Sequence, residues 1–110
     1  MKLPNSNKAF IPRDKLTKYV LSETHSTGKF KAKFFSKLGF DERNIDLFEK
    51  SLLKIAKSEE IIDEIVTPFG IKYILEGKIH SRVGKSVKVR TVWIIERGQN
   101  RPRFVTVYPV

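Results

Sequence analysis

The chain has 110 residues, of which 40% are hydrophobic, so we expect one domain with its own core rather than a disordered chain. It contains no cysteine, which excludes disulfides, thiolate nucleophiles and cysteine-based metal sites. Its two histidines argue against a histidine-rich metal site, and we expect neither a metal nor a cofactor. Lys and Arg outnumber Asp and Glu by 22 to 12, and the resulting net charge of +10 attracts polyanions, nucleic acid first.

The positive charge is segregated along the chain. Residues 1–40 carry nine basic and two acidic side chains, residues 41–66 carry four and eight, and residues 67–110 carry nine and two. Two segments of net charge +7 therefore flank one of net charge −4. This pattern predicts a basic surface that binds RNA or another phosphate-rich partner, and a solubilising lysine coat is the alternative.

The sequence shows no segment suited to a membrane. No apolar run approaches the roughly 20 residues that span a bilayer. Residues 1–8 are polar and lack the apolar stretch of a signal peptide. We therefore expect a cytoplasmic protein that makes no membrane contact.

Three helices are predicted in the first half of the chain, over residues 13–22, 29–38 and 42–57. Gly39 is placed to end the second helix in a left-handed conformation, and Asp41 is placed to cap the third. Each helix carries apolar residues at helical spacing, so each has one face to bury.

Four strands are predicted in the second half, over residues 61–66, 71–79, 86–96 and 103–108. The first lacks clean alternation and could instead extend the third helix, but the turn sequence Thr-Pro-Phe-Gly at residues 67–70 favours a strand. The predicted fold is a single α+β domain over residues 1–110, with N-terminal helices packed on one face of a four-stranded antiparallel sheet.

The uncovered face of this sheet is the first candidate site. Alternation along residues 86–96 places Trp93 towards the helices and Arg90 away from them. The same parity on the other strands gathers polar side chains around Ile74, Val92 and Ile94: Lys72, Glu76, Arg90, Thr106 and Tyr108. Cations beside an aromatic ring suit single-stranded RNA, because phosphates meet the charges and a base stacks on the ring. A solvated face with cross-strand ion pairs, such as Glu76 with Lys88 or Arg90, is the alternative.

The second candidate site lies between the first two predicted helices. His25 is placed in a loop just before Lys29 and Lys31, where a histidine can titrate near neutral pH and act as a general acid or base. A surface or capping role is the alternative, and His80, near a predicted hairpin tip, is a weaker candidate. The lysines and the free backbone N–H groups near Gly28 could bind phosphate, or could simply form a solvated helix face.

Three groups of residues resemble a known family. They are residues 25–28 with Lys31, Ala32, Phe35 and 38–40; residues 67–68, 70, 72–73 and 77; and residues 89–94, 102–103, 105–106 and 108–109. Together they resemble a family of small bacterial domains of unknown function, whose members occur alone or at the C-terminal end of larger secreted toxin-like proteins. The resemblance covers nearly the whole chain. The layout also resembles the ribonuclease group of barnase, colicins and ribosome-dependent toxins.

This resemblance implies a metal-independent endoribonuclease of toxin type, in which the RNA 2′-hydroxyl attacks the adjacent phosphate. The candidate catalytic residues are His25 as general acid or base, with Glu76 as second candidate, and Lys31, Arg90 and Thr106. The candidate substrate-binding residues are Lys29, Lys72, Arg103 and Tyr108. Of these, Glu76, Lys29 and Lys72 are chosen for their charge and predicted placement, and the resemblance implies the others. The implied partners are RNA, free or ribosome-bound, and an acidic antidote protein.

Two other functions fit the same residues. A non-catalytic module that binds RNA, DNA or a protein needs only the charge and the Tyr108 ring, and no acid–base pair. A structural or regulatory protein with a basic surface is the third hypothesis. The convergence of His25, Arg90 and Thr106 in one cleft would distinguish the enzyme from the binding module.

Overall fold

The computed structural model describes residues 1–16, 34–40, 42–80 and 84–110. They form one α-helix and four strands: α1 (Ile45–Ser58), β1 (Ile61–Thr67), β2 (Gly70–His80), β3 (Ser86–Glu96) and β4 (Arg103–Pro109). Two 3-10 helices, Ser6–Lys8 and Glu42–Asn44, precede α1. The helices predicted over residues 13–22 and 29–38 lie largely outside the described residues, although residues 13–16 and 34–37 are helical. Every helix in the described ranges is too short or too polar to span a bilayer.

The sheet has the predicted topology. All three strand pairs are antiparallel, and the order is β1-β2-β3-β4. The segment that could have extended the third helix is strand β1, and the turn at residues 67–70 connects it to β2. Thr67 fixes this turn, because its Oγ1 accepts hydrogen bonds from the N–H groups of Phe69 and Gly70 and donates one to Gly70 O at 2.7 Å. The α+β class and the four-stranded antiparallel sheet are therefore confirmed.

Helix α1 begins three residues later than predicted, because its first turn is the 3-10 helix Glu42–Asn44. Its apolar residues recur at helical spacing and are buried: Ile45, Phe48, Leu52, Ile55 and Ala56. Gly39, which precedes it, has φ +89°, the left-handed conformation predicted for the end of the helical turn at residues 34–37.

One hydrophobic cluster joins α1 to one face of the sheet. Trp93 is fully buried in it, with its ring 5.4 Å from that of Phe104 between centroids. Gly77 of β2 faces α1 so closely that a Cβ built there would lie 2.8 Å from Cγ1 of Ile55. We call this face of the sheet the core face and the opposite one the open face.

A bulge changes the alternation of β4. Val92 pairs with Thr106 but Trp93 pairs with Phe104, so Val105 is an extra residue without a partner across the pair. Strict alternation would place Arg103 on the same face as Val107. Because of the bulge, Phe104 and Val107 both lie on the core face, and Arg103 joins Thr106 on the open face.

Candidate nucleic-acid interface

The open face is built from three rows of side chains that cross β2, β3 and β4. The rows are Lys72–Ile94–Arg103, Ile74–Val92–Thr106 and Glu76–Arg90–Tyr108. Antiparallel register brings the members of each row together, because directly paired residues project from the same face of a sheet. The placement predicted from strand parity is therefore confirmed for Lys72, Glu76, Arg90, Thr106 and Tyr108, and the β4 bulge adds Arg103.

The middle of the open face is apolar and covered. Val92 and Ile94 are only 9% and 5% exposed, although they point away from the hydrophobic cluster. The longer side chains of the neighbouring rows surround them. The result is an apolar floor, nearly closed to solvent, inside a charged rim.

Glu76, in the third row, contacts two cations of β3, Arg90 and Lys88. Its carboxylate accepts a hydrogen bond from Arg90 Nε at 3.1 Å, contacts Arg90 Nη2, and lies 3.2 Å from Lys88 Nζ. These hydrogen bonds, the one from Arg90 first, lower the pKa of the Glu76 carboxyl below its usual value. Glu76, with a further contribution from Tyr108, raises the pKa of Arg90. Glu76 is therefore ionised at neutral pH, and the ion pairs expected as the alternative are formed.

Other charges on the open face differ in how far they are neutralised. Arg103 Nε donates to Glu96 Oε1 at 2.8 Å. Lys72 is half-buried, and none of the carboxylates in the described ranges forms an ion pair with it. Register also places Asp63 of β1 on this face, opposite Ile74. The strands thus present five cations, Lys72, Lys78, Lys88, Arg90 and Arg103, against three carboxylates, Asp63, Glu76 and Glu96, so the face keeps a positive excess.

A groove of about 720 Å³ adjoins the Glu76 end of the open face. Glu76, Lys88 and His80 line one side of it, and Leu47 and Ser51 of α1 line another. His80 Nδ1 lies 2.8 Å from Ser86 Oγ, across the end of the β2–β3 pair. His80 shares the open face with Glu76 but lies four residues further along β2, about 13 Å away at roughly 3.3 Å per residue.

Three of the predicted site residues, His25, Lys29 and Lys31, lie outside the described residues. The convergence of His25 with Arg90 and Thr106 therefore remains a prediction. In the parts of the chain that are described, no three His, Asp or Glu side chains are arranged to hold a metal ion.

Residues 2–110 match a protein family described as a domain of unknown function, DUF6883. The chain belongs to this family. No curated protein is significantly similar to this DUF6883 chain in sequence. Its fold is similar to that of a chain in the contact-dependent growth inhibition toxin–immunity protein complex from Klebsiella pneumoniae 342. The TM-score is 0.73 over 94% of this chain and 95% of that chain, with 16% sequence identity, so the likeness is one of fold.

Proposed function

We propose that this DUF6883 domain is a toxin that cleaves RNA without a metal ion, with the RNA bound on the open face. The observation that carries the proposal is the open face itself, where Arg90, Arg103, Thr106 and Tyr108 surround the apolar floor of Val92 and Ile94. The toxin role is supported by the similarity of fold to a chain of a toxin–immunity protein complex. N-terminal helices that cover the core face would leave the open face to the substrate.

RNA binding follows from the chemistry of the three rows. Lys72, Arg90 and Arg103 supply cations for phosphates at separate positions along one strand, and guanidinium groups suit phosphate because they donate two parallel hydrogen bonds. The Tyr108 ring supplies a surface on which a base stacks. The same positive face suits an acidic antidote protein, which would block it in the cytoplasm of the producing cell.

The proposed reaction is an attack by the RNA 2′-oxygen on the adjacent phosphorus. The O2′–P bond forms, the P–O5′ bond breaks, a base takes the 2′-hydroxyl proton, and an acid gives a proton to the leaving 5′-oxygen. Arg90 and Lys31 stabilise the charge that develops on the phosphate. The products are a 2′,3′-cyclic phosphate and a free 5′-hydroxyl.

His25 and Glu76 are the proposed acid–base groups. Glu76 is ionised, so it can only accept a proton, which leaves the acid role to His25. A carboxylate whose pKa is held low is a weak base. A substrate phosphate that draws Arg90 away from Glu76 would raise the pKa of Glu76 and make it a stronger base at the moment of reaction.

The test is cleavage of total RNA and of ribosome-bound message by the purified protein in the presence of EDTA. We expect cleavage to survive the chelator. Arg90→Ala should lower the rate by about 10²–10³, and His25→Ala by about 10²–10⁴. Arg97→Ala is the matched control, because Arg97 is an exposed cation in the loop after β3 and lies outside the three rows. It should cleave nearly as fast as the unmodified protein.

Each other outcome has a definite meaning. Cleavage that persists in His25→Ala would keep the enzyme, leave Glu76 as the base and move the acid role to His80. A protein that binds RNA but cuts neither substrate would be the non-catalytic binding module. The ion pair of Arg90 with Glu76 is compatible with this module, because binding requires no free acid or base on the open face. Equal loss of cleavage in Arg90→Ala and Arg97→Ala would show that net charge, and not the open face, sets the rate.

A further inference from the structure

A second cavity lies where the open face meets the loop between β3 and β4. It has a volume of about 210 Å³ and is lined by Phe10, Glu96, Gln99, Arg101 and Arg103. We call it the Arg101 pocket. Arg103 and Glu96 belong to the open face as well, so the pocket continues the charged rim at the end opposite Glu76.

Four hydrogen bonds, three of them between distant segments, hold the walls of this pocket in place. Phe10 N donates to Pro102 O at 3.0 Å, and Phe104 N donates to Phe10 O at 3.0 Å, so the segment around Phe10 is fixed against the start of β4. The loop is held at its other side, because Gln99 N donates to Glu96 O and Asn5 Nδ2 donates to Asn100 O, both at 2.9 Å. The pocket therefore has a preformed wall on each side.

Arg101 is held over an aromatic ring. Its Cζ lies 4.1 Å from the centroid of the Phe10 ring, and its Nε donates to Lys8 O at 3.3 Å. Arg101 is exposed, and no carboxylate among the described side chains pairs with it. A guanidinium placed in this way has lost much of its rotational freedom, and it offers a planar surface together with unpaired N–H donors.

The chemistry of this pocket is that of a nucleotide site. The Arg101 guanidinium can donate to a phosphate and stack on a base, and the Gln99 amide can both donate to and accept from a base edge. Arg103 neutralises the Glu96 carboxylate that also lines the pocket. The pocket is remote from Arg90. Arg103 pairs with Ile94, which lies four residues from Arg90 along β3, or about 13 Å at roughly 3.3 Å per residue. That distance is about four stacked steps of a nucleic-acid strand at roughly 3.4 Å each.

We propose that the Arg101 pocket is a second nucleotide subsite, which binds the phosphate and base of a residue on the same RNA strand, away from the phosphate at Arg90. This inference rests on the proposed RNA binding by the open face. It adds that affinity depends on strand length, because a dinucleotide cannot reach both sites and a longer strand can.

The test compares the binding of two 2′-O-methyl RNAs, a dinucleotide and a decanucleotide, which lack the attacking hydroxyl and are not cleaved. Arg101→Ala should weaken decanucleotide binding about tenfold, the loss expected for one stacking contact, and should weaken dinucleotide binding less, because a dinucleotide can bind at Arg90 instead. Arg97→Ala removes the same charge from the same loop without touching the pocket, and it should bind both RNAs as the unmodified protein does. Arg101→Lys keeps the charge but not the plane, so it should resemble Arg101→Ala.

The possible failures are distinguishable. If Arg101→Ala binds the decanucleotide as tightly as the unmodified protein does, and Arg90→Ala binds it more weakly, the subsite is contradicted. The proposed function would then still stand. If Arg101→Lys binds the decanucleotide as tightly as the unmodified protein does, only the charge of Arg101 contributes to binding. That result would contradict the stacking of a base on its guanidinium group. If neither RNA binds the unmodified protein, RNA binding by the open face fails, and the subsite fails with it.

Discussion

The hydroxyl of Thr91 links two groups in the core. Trp93 Nε1 donates to Thr91 Oγ1 at 2.9 Å, and Thr91 Oγ1 donates to the backbone oxygen of Leu75 at 3.1 Å. Both Thr91 and Trp93 are fully buried. A buried N–H group without an acceptor loses its hydrogen bond to water and receives nothing in return. Thr91 therefore lets the largest aromatic side chain of the core be buried together with its polar atom.

Thr91→Val keeps the shape of this side chain and removes its hydroxyl. We expect it to lower the free energy of unfolding by about 1–3 kcal/mol, because the indole N–H is left unsatisfied. Urea denaturation measures the loss. Trp93→Phe removes the donor, so the double variant should lose less than the sum of the two single variants. A Thr91→Val protein as stable as the unmodified one would show that the hydrogen bond contributes nothing.

At the scale of elements, the contact between α1 and β2 depends on the absence of a side chain at Gly77. Gly77→Ala would bring a Cβ to 2.8 Å from Ile55 Cγ1 and 3.2 Å from Glu59 Cγ. We expect a loss of about 1–3 kcal/mol in the free energy of unfolding, since an overpacked contact forces α1 away from the sheet. Thermal or urea unfolding measures this loss.

Two further variants separate overpacking from other causes. Lys78→Ala, at the exposed neighbouring position, should change stability little. Ile55→Ala removes the Cγ1 atom that the new methyl group meets, so combining it with Gly77→Ala should cost less than the two single costs together. Additive costs would mean that the new methyl group does not meet Ile55.

Strands β2 to β4 and α1 could be predicted because each buries one face, and burial of one face leaves a period in the sequence. Strand β1 is exposed along most of its length, and only the turn after it indicated a strand. The alternation from Ser86 to Glu96 predicted the observed bounds of β3 and placed Arg90 and Trp93 on opposite faces of the sheet. The same parity grouped Lys72, Glu76 and Tyr108 on the open face. In the structure the short turn at residues 67–70 places Thr67 opposite Gly70 and so sets the register of the β1–β2 pair next to it.

The bulge at Val105 and the Arg101 pocket could not be predicted. Phe104 and Val105 are adjacent and both apolar, so the composition of β4 does not show which of them faces the core, and only pairing with Trp93 decides that Phe104 does. Arg103 reaches the open face for this reason alone. The contact of Arg101 with Phe10 joins positions far apart in the chain, and neither residue carries a local signal for the other.

For the whole molecule, the charge of +10 predicts binding that is sensitive to salt. Each phosphate of a single strand that a cation neutralises contributes about −0.7 to the slope of log affinity against log salt. A strand whose phosphates contact Lys72, Arg90 and Arg103 should therefore give a slope of about −2 for its three contacts. Fluorescence anisotropy with a labelled 2′-O-methyl RNA, between about 50 and 200 mM salt, measures the slope.

Variants assign this slope to the open face. Arg90→Ala should reduce its magnitude by about 0.7, and Arg97→Ala should leave it unchanged. Affinity that does not vary with salt would contradict the binding of any polyanion by this protein. An equal reduction in both variants would assign the effect to the overall field.

Glu76 contacts both Arg90 and Lys88, so its carboxylate competes with any phosphate for these two cations. A free phosphate ion or a mononucleotide, both abundant in cells, would have to displace the Glu76 carboxylate from Arg90 and Lys88. Because one anionic group would replace another, the net gain in binding free energy would be small. A polymer offers several phosphates at once, and once one is held elsewhere on the face the next is presented at a high local concentration. If the open face binds RNA as proposed, we therefore expect the Glu76 carboxylate to exclude small anions more strongly than polymers, so that free phosphate and mononucleotides would not saturate the face.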